Sequence, residues 1–216
     1  MLTFAEELLL LTLDDEKGCF VHLSPNALEF ALSGAVLMEL AMMDKLDTDL
    51  ENLILVDSSP TGDEIFDTIL EMIKEHPKSK NALYWIREIK NRCVNLKETL
   101  INRLIKKNII KKEENRFLWV FKQRRYPIIH NEEKKEVKTR IRDIVLSEEI
   151  PEPRDVVLIS LVAACNLTDK IFSPDEMEKA TKRIPQIAKM DLIGQAVSKA
   201  INQFMEMITY AVSTAT

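Results

Sequence analysis

Arg87, Lys90 and Lys97 share a helical strip with Val94 and Ile101, all at steps of three or four residues, so three cations project from one face. Cations arranged this way hold phosphate or carboxylate without covalent chemistry. The basic character continues through Arg116, Lys122, Arg124 and Arg125, then through Lys134, Lys135, Lys138, Arg140 and Arg142, with no matching carboxylates in the same pattern. Phe117, Leu118, Trp119 and Phe121 are interleaved with these cations. Strand alternation buries only half of such a run, so it either packs beneath its own hairpin or leaves an aromatic exposed. A charge run also fits a plain solvated helix face. The candidate anion-binding set is therefore Arg87, Lys90, Lys97, Arg124 and Arg125, and the candidate membrane tip or oligomerisation edge is Phe117, Leu118, Trp119 and Phe121.

Other chemistry is hard to find. His22, His76 and His130 lie far apart, and none forms a helical i, i+4 pair with a ligand-type neighbour, so neither a metal nor a triad constellation is legible. Cys19, Cys93 and Cys165 are odd in number and share no close spacing, which suits neither a disulfide framework nor a zinc site. Ser59-Pro60-Thr61-Gly62-Asp63 follows a strand and opens a helix, where phosphate sometimes binds free N–H groups. With one glycine and no following lysine it lacks a P-loop's anatomy, and a capping box from Thr61 to Glu64 explains it. No catalytic residue, metal or cofactor is expected, and the chain reads as a binding protein rather than an enzyme.

The net charge of −5 conceals a segregation. Residues 1–86 carry 5 Lys/Arg against 17 Asp/Glu, net −12; residues 87–142 carry 18 against 7, net +11; residues 143–216 carry 7 against 11, net −4. A basic region of this kind approaches phosphates while the remainder repels them. Hydrophobic residues make up 46% of the chain and charged residues 30%, ordinary for a globular protein. Four glycines among 216 residues leave little turn chemistry for an all-β chain. No apolar run reaches the roughly 18 residues that span a bilayer, and Glu6 and Glu7 interrupt the first apolar segment, so a cytoplasmic protein associated peripherally with membrane is expected.

The elements that must position the cations follow from caps and periodicity. Thr3 to Leu13 reads as a helix with Thr3 and Glu6 as a capping box. Asp14 to Gly18 forms a turn before a short strand-like Cys19 to Leu23, and Ser24-Pro25 starts a helix to about Met43. Asn52 to Val56 is a strand, and Thr61 caps a helix that Pro77 ends. From about Ser79 to Lys107 one long helix carries Leu83, Ile86, Ile89, Cys93, Leu96, Leu100 and Leu104 on its core face. Ile109-Ile110 and Arg116 to Phe121 read as two hairpin strands about a charged turn, closed by Pro127. Helices then follow at about Asn131 to Leu146, Val156 to Leu167, from Ser173-Pro174 until Pro185 interrupts, and Leu192 to Val212. The expected fold is mainly α: a compact single-domain helical bundle over residues 1–216 with a short β-hairpin.

Several segments in order resemble the Golgi phosphoprotein 3 family, known in bacteria as well as eukaryotes. Leu2-Thr3-Phe4-Ala5-Glu6-Glu7-Leu8-Leu9-Leu10-Leu11 with Asp14-Asp15-Glu16-Lys17-Gly18 is similar to its opening helix and turn. Gly34-Ala35-Val36-Leu37-Met38-Glu39-Leu40-Ala41, Pro60-Thr61-Gly62-Asp63, and Leu104-Ile105-Lys106-Lys107-Asn108-Ile109-Ile110 with the hairpin to Tyr126-Pro127 are similar to later signatures, and Ala180-Thr181-Lys182-Arg183 to the C-terminal part. The resemblance implies a helical domain with a β-hairpin. It also implies binding of phosphatidylinositol 4-phosphate at Golgi membranes and a link between membrane-protein clients and a vesicle coat. The family's head-group pocket uses a tryptophan and an arginine near the second helix and two basic residues on the long helix. These positions correspond to the neighbourhood of Ser24 and to Ser33, Val94 and Lys97, of which Lys97 keeps the family's character. The family's basic tail, associated with coat binding, precedes the first signature, and neither coat nor glycosyltransferase partners are carried over.

Two readings follow. In the first, a peripheral membrane protein or adaptor gathers anionic, phosphoinositide-like lipid head groups through its basic surface and self-associates or touches membrane through the hairpin. Each surface cation near anionic lipid contributes about 1 kcal/mol. The alternative is a winged-helix-like nucleic-acid binder, with residues 87 to 107 and 131 to 146 flanking the wing. Against it, the long helix lacks a Gln/Asn/Arg cluster at its first turn for base edges.

Overall fold

The computed structural model describes all residues other than 16, 21–22, 50, 77, 118–120 and 214–216; for residues 25, 114–117, 121–124, 205 and 208–213 it describes the backbone alone. Among the described residues the chain forms nine α-helices and two two-stranded antiparallel sheets, a mainly α architecture. The helices are α1 Phe4–Leu11, α2 Pro25–Met42, α3 Glu64–Lys74, α4 Ala82–Arg92, α5 Leu96–Lys106, α6 Glu132–Leu146, α7 Pro153–Ala164, α8 Pro174–Ala188 and α9 Leu192–Ser213. One sheet pairs β1 Leu46–Thr48 with β2 Leu53–Leu55, the other β3 Glu113–Phe117 with β4 Phe121–Arg125. None of the described helices is long and apolar enough to cross a membrane.

A long, largely apolar helix sits in the middle. α2 packs against α1, α4, α5, α7 and α9, and Phe30, Ala31, Leu32, Ala35, Leu37 and Met38 on it are wholly buried. Gly34 permits the closest of these approaches. A Cβ there meets Val197 Cγ1 at 2.9 Å and Ile201 Cδ1 at 3.0 Å, so any side chain wedges α2 away from α9.

α1 starts as its residues dictate, with the Thr3–Glu6 capping box formed. All eight of its residues are buried, including Glu6 and Glu7, which is tolerable only because each carboxylate has cationic partners. Lys107 Nζ contacts both Glu6 oxygens at 2.7 Å. Glu7 receives Arg140 at 3.0 Å and Arg154 at 3.3 Å, while Arg154 also reaches Glu39 at 3.1 Å and stacks over Phe4 at 4.2 Å. Burial still outweighs Arg154 and Arg140 at Glu7, whose carboxyl stays above its usual range.

Five local expectations are corrected. The long helix is broken at Cys93, Val94 and Asn95, because α4 packs on α2 and α9 whereas α5 packs on α1 and α2, so the two apolar stripes need different directions. Asp63, not Thr61, caps α3: the Thr61 N–H and O–H donate to Asp67 at 2.6 and 2.7 Å, and Asp63 accepts from Ile65 N–H at 2.9 Å. The second hairpin has a shifted register, Ile110 bridging Ile128 and Glu113 facing Arg125, so the supposed charged turn is itself strand. α8 runs through Pro185, which is exposed, as is Thr181, so the carbonyl deprived of its partner faces water. The strand-like segment after Gly18 contributes among its described residues only a bridge between Leu13 and Phe20.

Candidate anion-binding site

The break between α4 and α5 creates the candidate site. Cys93 leaves the helical conformation at φ −94°, ψ 55°, after its N–H has donated to Ile89 O at 2.7 Å, and Leu96 N–H then bonds Cys93 O at 2.9 Å. The resulting elbow pushes Val94 outward, 73% exposed, with Lys90 on one side and Lys97 on the other. Both lysines line a narrow recess of about 10 Å³ whose opposite wall is α2, through Glu29, Leu32 and Ser33. Ser33 is fully buried and donates its hydroxyl to Glu29 O at 2.8 Å, so it closes the recess rather than offering a donor to it. Cys93 is half-buried, and desolvation raises its thiol pKa, which leaves it protonated and unreactive at neutral pH.

Lys97 is braced from the side. Its Nζ lies 4.4 Å from the Phe20 ring centre, and that ring sits 5.6 Å from Tyr126. Tyr126 N–H donates to Gly18 O at 2.6 Å, and Gly18 holds φ +61° with its Cα so close to the chain that a Cβ would meet Pro127 N at 2.6 Å. The hairpin base, the turn after α1 and the elbow thus form one connected surface.

Not every sequence-predicted cation belongs to it. Arg87 is exposed but lines a different groove, with Leu83 on α4 and Gln203, Glu206 and Met207 on α9. Arg125 is half-buried in β4 opposite Glu113, and its Nε has no hydrogen-bond partner. The Arg124 side chain lies outside the described side chains, as do those of Phe117 and Phe121; Leu118 and Trp119 lie outside the described residues. Phe117 and Phe121 face each other in register at the end of the ladder.

The α6 cations Lys134, Lys138, Arg140 and Arg142 need the largest correction, since they do have carboxylates, donated by distant segments. Lys134 is 2% exposed and binds Leu13 O together with Asp15 Oδ1, the latter at 2.5 Å. Lys138 lies 3.5 Å from Asp15, Arg140 lies 3.0 Å from Glu7 and 2.9 Å from Asp155, and Arg142 pairs with Glu176. Burial drives the Lys134 ammonium pKa down despite Asp15. Arg103 on α5 and Lys107 just after it are likewise taken by Asp63 and Glu6. Much of the sequence's positive block neutralises its own acidic third and holds the fold. Lys90 and Lys97 are the predicted cations that the structure brings together at one concave surface. Ser33 and Val94, which the family resemblance places at the head-group pocket, do line that surface with Lys97; Glu29 went unnoticed in the sequence, although its i, i+4 spacing to Ser33 on α2 was an available signal.

The Thr61-Gly62-Asp63 loop has no N–H groups to spare for phosphate where carboxylates already fill them. Thr61 and Gly62 N–H donate to Asp67 at 2.6 and 3.3 Å. Among the described residues no group of three or more His, Cys, Asp or Glu side chains is placed to hold a metal ion.

A family model described as Golgi phosphoprotein 3 matches residues 4–204. Vacuolar protein sorting-associated protein 74 of Eremothecium gossypii is 25% identical over 213 residues, an alignment that covers 82% of this chain. The chain spans 63% of that relative's length.

Proposed function

We propose, for a chain that belongs to the Golgi phosphoprotein 3 family, that it is a non-enzymatic adaptor which docks on membrane by gathering anionic lipid head groups at the α4–α5 elbow. One observation carries the reading: Lys90 and Lys97 flank a single recess beside the exposed, apolar Val94. An apolar tip between two cations suits the membrane interface, where the side chain meets the acyl boundary and the ammonium groups meet phosphates. The recess also contains Glu29 and lacks any arginine, so it supports charge-driven attraction better than selection of phosphatidylinositol 4-phosphate. The hairpin, joined to Lys97 through Tyr126 and Phe20, adds a second contact with membrane or with another copy of the chain. A membrane-protein client is the cargo such an adaptor would hold. The nucleic-acid reading loses support because the α6 cations that would flank a wing are occupied by Asp15, Glu7 and Glu176.

Vesicle flotation tests the proposal. Three vesicle types are needed: neutral phosphatidylcholine, the same with phosphatidylserine, and the same with phosphatidylinositol 4-phosphate at matched charge. Flotation only with the two anionic types is the expected result, and duplex DNA at the same salt is the comparison. Retention of DNA without preference for anionic vesicles overturns the membrane reading.

A further inference from the structure

A second concave site lies away from the elbow, where β2, the end of α3 and the start of α4 meet. Its open cleft of about 220 Å³ is floored by Leu53 and Ile73, both buried, and walled by Trp85. Trp85 is only 2% exposed, yet its indole Nε1–H has no hydrogen-bond partner. That N–H is sealed from solvent, so it lies behind the cleft wall and reports on whatever fills the cleft. At the rim stand the exposed Lys74, Lys78 and Ser79. Lys74 has Glu71 beside it at 3.2 Å on the outer face, a solvent-exposed i, i+3 pair that water screens. None of the described residues lining the cleft is acidic.

His76 completes the wall without competing for a ligand. Its Nδ1 is 2.7 Å from Lys78 O and its Nε2 is 3.0 Å from Tyr84 Oη. The tautomer with Nδ1–H donating to that carbonyl, and Nε2 accepting from the tyrosine hydroxyl, satisfies both ring nitrogens. The ring also stands edge-on to Trp85, centroids 5.3 Å apart, which fixes the indole in place. The cleft thus presents one hydroxyl and two ammonium groups above an apolar floor, with the sealed Trp85 indole behind it.

We propose that this cleft binds a small carboxylate carrying a short apolar body. Donors without acceptors select an anionic head. The choice of carboxylate over phosphate rests on the donor set, which has neither an arginine fork nor a row of backbone N–H groups, the two usual phosphate cradles. Leu53 and Ile73 reward a few methylene groups on the same molecule.

The test follows the Trp85 indole by proton–nitrogen correlation NMR, using the whole chain. The sequence contains two tryptophans, Trp85 and Trp119, so Trp119→Phe assigns the resonance. Sodium hexanoate, inorganic phosphate and sodium chloride are titrated at matched ionic strength. Hexanoate should shift the Trp85 indole saturably, and chloride should not. Trp85→Phe alters a core position, so the exposed pair Lys74→Ala/Lys78→Ala carries the mutational arm, weakening hexanoate about tenfold or more through loss of charge-assisted contacts. No saturable shift with hexanoate overturns the site. Saturation by phosphate as tight as by hexanoate overturns the carboxylate assignment, and unchanged affinity in the double variant overturns the roles of the lysines.

Discussion

Arg103 holds Asp63 in a fork, Nη1 to Oδ2 at 2.5 Å and Nη2 to Oδ1 at 2.7 Å, and so fastens the start of α3 to α5. The same carboxylate caps α3 through Ile65 N–H. Burial opposes its charge, but the Arg103 hydrogen bonds and the cap outweigh burial and hold the Asp63 carboxyl below its ordinary value. A carboxylate depressed in the folded state contributes stability that is fully present above its unfolded pKa, about 3.9, and is lost as pH falls through the folded value. Arg103→Lys keeps the charge and loses the fork, so it should lower stability by about 1–2 kcal/mol at neutral pH and weaken the acid dependence. Urea midpoints at pH 7 and pH 3 check this, and coincident curves for the two proteins sink it.

Lys134 provides a test of which cations serve the fold. Lys134→Met removes a buried ammonium and leaves Leu13 O without its donor, which should cost about 1–3 kcal/mol and lower Tm by several degrees. Because burial depresses the folded pKa of Lys134, its ionisation opposes folding below that value. That opposition is relieved as pH rises through the folded pKa towards the unfolded one, so the Tm gap between wild type and Lys134→Met should change at alkaline pH. Flotation with anionic vesicles should not change. A lost flotation with unaltered Tm would return Lys134 to the binding surface.

These contrasts mark what a sequence can convey about this fold. Caps are local, so Thr3 with Glu6 and Ser24 with Pro25 located α1 and α2 correctly. Apolar spacing is also local, and it stays at three or four across Ile89, Cys93 and Leu96 whether the helix runs on or turns. The elbow at Val94 arises from packing against α1, α2 and α9, none of which the spacing encodes. Charge pairing is the least local of all: Lys134 finds Asp15 across 119 residues and Arg140 finds Glu7 across 133. An unopposed basic run in the sequence was therefore a poor guide to free positive surface. Lys90 and Lys97 were legible as a pair from their helical spacing, and the bend between them leaves both beside Val94; Trp85 showed no sequence signal, since an unpaired indole N–H is a property of the fold.

The hairpin offers a prediction independent of the elbow. We expect contact with membrane or a second copy through residues 116–126, and Leu118→Ser with Trp119→Ser removes two large apolar groups of that segment. Either vesicle binding should fall or the mass by light scattering should change, with the thermal midpoint retained. If all three measurements match the wild type, the hairpin has neither role.

The elbow itself is tested by Lys90→Glu with Lys97→Glu. The double reversal changes the local charge by four units, two for each exchange, at the recess that also holds Glu29. Glu and Lys have similar helix propensities, so α4 and α5 should persist. Losing two cations at about 1 kcal/mol each, with added repulsion from the new carboxylates, should weaken binding to anionic vesicles roughly 30-fold or more. The residual binding should depend less steeply on salt, since fewer screened contacts remain. Arg87→Glu makes the control, because its side chain lines the groove between α4 and α9 and not the recess; it should weaken binding by less than either lysine reversal. The competing view is that Lys90 and Lys97 only solvate the backs of their helices, with Lys97 additionally resting on Phe20. Under that view the double variant floats as the wild type does. Circular dichroism on the same sample must show intact helices, because a melted elbow imitates a lost site.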